Sequence, residues 1–208
     1  MWALLAAILL TPQSAWERNY DCWDRGDISE TCWADIRALY AASPIEESLG
    51  QGMRIRRFFL LDLTGHLSDP RGNDTQAGMI SIEQRGDGDP ALTYRPARGA
   101  RALVTSLPRE DWTAVLAATA QVPGQQGAIC LHGWQVLVEA ADPAATDSPA
   151  VRRYISTCED FIGVQLADRL TDILIHAFPR CGHSPRGDSL WHKVDWLYRC
   201  RMSGRGLP

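Results

Sequence analysis

Residues 128–139 read AICLHGWQVLVE, and this stretch decides how the rest of the chain is read. Side chains along a strand alternate between two faces. One face here carries Cys130, His132, Trp134, Val136 and Val138; the other carries Ile129, Leu131, Gly133, Gln135 and Leu137. Both faces are largely apolar, which predicts a central strand covered on both sides. The loop from Asp142 to Pro149 leads to a second strand-like run, Val151 to Ser156, and the two read as an antiparallel pair.

Upstream, Met53 to Leu63 is rich in Ile, Phe and Leu and reads as a strand, followed by a turn cluster from Asp69 to Asp74. Gly78 to Gln84 and Leu92 to Arg95 flank Gly86-Asp87-Gly88-Asp89-Pro90, a hairpin signal, and Ala102 to Thr105 adds a short strand. Ile28 to Ala42 reads as a helix with Ser29 as N-cap, a Trp33–Ile36–Tyr40 stripe and a stop at Ser43-Pro44. Ser106 caps a second helix, with Pro108, Glu110 and Asp111 in its first turn and Trp112, Val115, Leu116 and Thr119 on one face. Ser156-x-x-Glu159 fits a capping box opening a helix that runs to Phe178, with Ile162, Leu166, Leu170, Ile173 and Leu174 as its apolar stripe.

This order predicts an α+β domain over residues 16–208. Its antiparallel sheet has about five to six strands, with helices packed mainly on one face and disulfides as staples. The 208 residues and 45 % hydrophobic content fit one globular body.

Residues 1–15, MWALLAAILLTPQSA, form an uncharged apolar run ending on small residues, as a signal peptide does. The run is too short to cross a bilayer core, which takes about 20 residues, and no second run approaches that length, so no membrane span is expected. Arginine occurs twenty times and lysine once, at Lys193, a bias that points to a GC-rich bacterial source. Export then leads to the periplasm or beyond, where disulfides persist. The local pairing expected for the six cysteines is Cys22–Cys32, Cys130–Cys158 and Cys181–Cys200. The residue types Cys181, His183, His192 and Cys200 also suit zinc, but their spacing matches no common finger, and no metal or cofactor is expected.

The formal net charge of −4 argues against a nucleic-acid binder. Charge is uneven: eight acidic and three basic residues lie between Trp16 and Glu47, against six basic and two acidic from Arg180 onward. The two ends are expected to neutralise each other across the fold.

Nucleotide loops, nucleophile elbows and zinc-protease motifs are absent. The catalytic candidates are His132, which sits beside Trp134, and the Asp62–His66 pair in LDLTGHLSD. Trp134, Trp191 and Trp196 are the binding candidates, since exposed indoles stack on sugars or anchor a partner. Arg-Gly-Asp occurs three times, beginning at Arg25, Arg85 and Arg186; integrins read this tripeptide on tight exposed loops, and its residue types are also ordinary turn formers.

The segment from Cys181 to Pro208 shows little apolar periodicity. It is expected to be pinned by Cys181–Cys200, with Val194, Trp196 and Leu197 docked on the core. Together these features predict an exported envelope protein, a non-catalytic binding or structural module with an envelope protein or polysaccharide as partner. The alternative is a periplasmic hydrolase using His132 or the Asp62/His66 region.

Overall fold

A computed structural model describes residues 30–62, 78–96, 101–120, 134–145, 150–156, 161–181 and 189–202. Six antiparallel strands form one sheet: β1 (Met53–Asp62), β2 (Gly78–Arg85), β3 (Ala91–Pro96), β4 (Leu103–Ser106), β5 (Trp134–Ala141) and β6 (Val151–Ser156). Their spatial order is β4-β3-β2-β1-β5-β6, so β1 to β4 form a meander and the β5–β6 hairpin adds to the far side of β1. The class is α+β, as expected; of the 128–139 stretch, residues 134–139 lie in β5, an interior strand, and residues 128–133 fall outside the described residues.

Five helices are described: α1 (Glu30–Leu39), α2 (Ile45–Gly50), α3 (Arg109–Ala120), α4 (Ile162–Ala177) and α5 (Leu190–Met202). They occupy both faces of the sheet, which corrects the expectation of helices mainly on one. Phe58, Leu60, Ile80, Ile82, Val136 and Val138 pack against α3, α4 and α5 in the larger core. Phe59, Met79 and Leu137 point the other way, onto Trp33 and Ile36 of α1 and onto Tyr40 in the turn that follows it. Ile55 and Ala141 meet Ile45 of α2 on that same second face. The cause is the strand period of two. β1 reads Phe58-Phe59-Leu60, so it is apolar on both faces and each needs a cover.

Two further corrections concern helix ends and the C-terminal segment. Ser156 lies in β6, opposite Val136, and α4 starts at Ile162 after Phe161 with no side-chain cap, so the Ser156–Glu159 pattern does not open the helix. The sheet ladder claims the serine first. The C-terminal segment, expected to be irregular, contains α5. Leu190, Lys193, Val194, Leu197, Cys200 and Arg201 are its buried stripe, at helical spacing. Val194 and Leu197 dock as expected, and Trp196 packs partly buried against the larger core.

A disulfide joins Cys181, just after α4, to Cys200 in α5. Cys32 is also disulfide-bonded. Cys22, Cys130 and Cys158 lie outside the described residues, as do residues 1–29, which hold the expected signal peptide.

Candidate functional site

The chemistry of the described residues gathers at one end of the sheet, where β1 begins and β5 ends. β1 opens MRIRRFF, and strand alternation sends Arg56 to the face of α3–α5 and Arg57 to the face of α1–α2. β5 ends in Glu139-Ala140-Ala141, and Glu139 faces the same way as Arg57, its ladder partner.

Glu139 is fully buried (0 % exposed) and three arginines surround it. Arg37 Nη1 of α1 donates to Glu139 Oε1 at 2.7 Å, and Arg153 Nε of β6 donates to the same oxygen at 3.0 Å. Arg57 Nη1 lies 3.5 Å from Glu139 Oε2 and donates to the Ser43 carbonyl at 2.6 Å. The outer ring is acidic. Glu30 joins Arg37 at 2.6 Å and Arg153 at 2.7 Å, and Glu46 of α2 joins Arg153 at 2.6 Å. Arg153 also stacks over Trp33, 5.7 Å from the ring centre. Three guanidinium groups thus face three carboxylates, and the cluster fastens α1 and α2 to β1, β5 and β6. Burial disfavours the charge of Arg37, yet Glu30 and Glu139 more than offset it and raise its pKa. Burial wins at Arg57, whose pKa is lowered despite Glu139. Burial works against the Glu46 carboxylate as well, but a backbone hydrogen bond and Arg153 hold its pKa below the ordinary 4.5.

The opposite face holds Arg56, 1 % exposed. It donates through Nε to Thr119 Oγ1 at 2.8 Å and through Nη1 to the carbonyls of Ile55 and Ala141 at 2.9 Å each. Its guanidinium lies 5.8 Å from the Trp112 ring centre, with Asp142 Oδ2 at 3.9 Å. Burial pushes its pKa down to about 10 against the pull of Asp142. Trp112 Nε1 donates to Gln84 Oε1 at 2.7 Å, and Gln84 Nε2 donates to the Gly88 carbonyl at 2.9 Å, so this polar chain runs out to the β2–β3 hairpin. Arg152 Nη1 caps the end of α3 at the Ala120 carbonyl.

The arrangement is suited to holding helices on a sheet, since each of these buried charges is engaged within the protein. Lys193 on α5 follows the same rule, donating to Asp168 at 2.9 Å and Asp172 at 3.0 Å on α4.

His132 and His66 lie outside the described residues. Asp62 ends β1 and pairs in the ladder with Trp134, the first residue of β5. The Asp62 and Trp134 regions, read separately in the sequence, therefore meet at the other end of the sheet from Glu139. Trp191 and Trp196 are partly buried against the larger core rather than fully displayed. The zinc arrangement is excluded in its four-ligand form, because Cys181 and Cys200 are bonded to each other and supply no thiolates. Among the described residues, no three His, Cys, Asp or Glu side chains are grouped to hold a metal ion.

The Glu139 cluster has no local motif to announce it. The available signal is charge inside apolar strand runs: Arg56-Arg57 before Phe58, and Glu139 after Val138.

No protein-family model, no curated protein and no solved structure matches this chain. Among the described residues no helix is long and apolar enough to cross a membrane.

Proposed function

We propose that the chain is an exported protein of the bacterial envelope, periplasmic or secreted, that acts as a non-catalytic binding or structural module with an envelope protein or polysaccharide as partner. The observation that carries this reading is the use of the buried charges. Glu139, Arg37, Arg56, Arg57 and Lys193 bond to other parts of the protein and fix helices to the sheet. The Cys181–Cys200 bond and the bonded state of Cys32 support an oxidising compartment. A body held in this way presents a rigid surface, which lowers the ordering cost of recognition.

The test is fractionation of a bacterium producing the full chain. It is combined with binding of the purified protein to envelope polysaccharide and envelope extract, and with a panel of ester, amide and glycoside substrates. Export with oxidised cysteines, retention on an envelope component and no turnover are expected. Retention in the cytoplasm with reduced cysteines overturns the reading.

One observation favours a second reading, a periplasmic hydrolase using His132 or the Asp62/His66 region. The Asp62–Trp134 pairing brings the strand ends next to both regions together. Turnover abolished by His132→Ala would replace the first reading with this one.

A further inference from the structure

We propose that the β2–β3 hairpin displays Arg85-Gly86-Asp87 as a ligand for a cell-surface receptor. Such a receptor would take the aspartate carboxylate on a divalent cation and the guanidinium in an acidic pocket, as integrins do. This rests on the export reading, because the tripeptide must reach a cell surface to be read.

All three residues are exposed at the hairpin tip. Gly88 N–H donates to the Arg85 carbonyl at 3.1 Å, closing a four-residue turn with Gly86 and Asp87 at its centre. Gly86 has φ +53°, while Asp87 is not among the residues with positive φ. A positive φ at the first central position of a turn is the left-handed region that favours glycine. The glycine between the two charged residues is thus required by the backbone, and the charges flank it on the outside of the bend. Their Cα atoms are separated by at most about 7 Å, two residues of chain.

The turn is also braced from beneath. Gln84, itself held by Trp112, donates to the Gly88 carbonyl. Arg109 Nη2 donates to the Asp87 carbonyl at 2.8 Å and meets Asp89 Oδ1 at 3.0 Å. These contacts engage carbonyls and the neighbouring Asp89, and none of them uses the Asp87 carboxylate. Among the described residues the Arg85 side chain reaches only Gln51 Oε1, at 3.4 Å. A braced turn whose carboxylate has no partner among the described residues, beside a lightly held guanidinium, meets the demand of such a receptor: carboxylate oxygen for a hard cation, planar guanidinium for a carboxylate fork. Preorganisation spares the ligand its ordering cost.

The test uses the purified, oxidised full chain against an immobilised integrin ectodomain that reads Arg-Gly-Asp, with Mg²⁺ or with EDTA. Saturable binding that EDTA abolishes is expected. Asp87→Glu, which keeps the charge but lengthens the arm, should weaken it by at least about tenfold. Asp27→Glu and Asp188→Glu should leave it unchanged, and Arg109→Ala, which keeps the tripeptide but removes its brace, should weaken it less than Asp87→Glu. Absence of binding by the folded wild-type protein overturns the proposal, as does binding that survives EDTA or that follows Asp27 or Asp188 instead. Because the protein is supplied purified, none of these outcomes bears on export, which the fractionation decides.

Discussion

The two faces of the sheet are covered by different means. On one, α3, α4 and α5 bury a broad apolar surface in which Phe58, Leu60, Ile80 and Val138 are all 0 % exposed. On the other, α1 and α2 bury a smaller patch around Phe59 and Leu137, and the charged cluster at Glu139 adds to it. Apolar burial is non-directional and scales with area. A buried ion pair is directional, and its charges are costly whenever one partner is lost. The comparison teaches that a small helical cover can be held in one orientation by a few directed bonds where area alone is insufficient.

The largest effect should come from breaking the directed face. Glu139→Gln leaves Arg37, Arg57 and Arg153 around a neutral group, and removal of one partner from a buried pair costs about 3–5 kcal/mol. Urea denaturation should show that loss, with protection from hydrogen exchange falling first in α1 and α2. On the apolar face, Cys200→Ser opens a loop whose ends are 19 residues apart, for a loss of about 3 kcal/mol in the chain-entropy model. Limited proteolysis should then cut between Gly182 and Arg199 in the variant and spare the oxidised protein.

Lys193→Met is the next step down. It leaves Asp168 and Asp172 one helical turn apart without their cation, for about 1–2 kcal/mol. Burial opposes the Lys193 charge, but the two aspartates hold its pKa above the ordinary 10.5. Its stabilisation is therefore complete below pH 10.5 and lost as the pH rises through the higher folded value. Melting curves of wild type and variant should converge only at that alkaline limit. The smallest effect belongs to Glu46, about half-exposed at 51 %. Its pKa is lowered in the fold, so its contribution is present above pH 4.5 and disappears as the pH falls below it. The difference between wild type and Glu46→Gln should vanish in acid.

Much of this architecture was legible residue by residue. The Ile, Phe and Leu run of β1, the glycine-rich turn after Arg85 and the Trp112–Val115–Thr119 stripe are local patterns, and each marks its element within a few positions. The Trp33–Ile36–Tyr40 stripe identified α1 but could not say which face it covers, because that depends on strand order. α5 is illegible in the sequence because Lys193 interrupts the stripe of Leu190, Val194 and Leu197. Its partners, Asp168 and Asp172, lie on another helix. The Glu139 cluster was illegible for the same reason, since its arginines stand 102, 82 and 14 residues away at 37, 57 and 153. Short-range spacing carries no record of such a meeting.

The strand order has a kinetic consequence. The β1–β4 meander and the β5–β6 hairpin can each form from near neighbours, whereas the seam between them pairs Phe58 with Val138. Joining it closes a long loop of chain before either apolar face is complete, and such pairings are slow to form. Arg57 and Glu139 lie side by side on that seam. The Arg57–Glu139 ion pair therefore comes into being only when the two halves of the sheet have found each other, and the carboxylate that receives Arg37 of α1 gains its strand-side partner at that step.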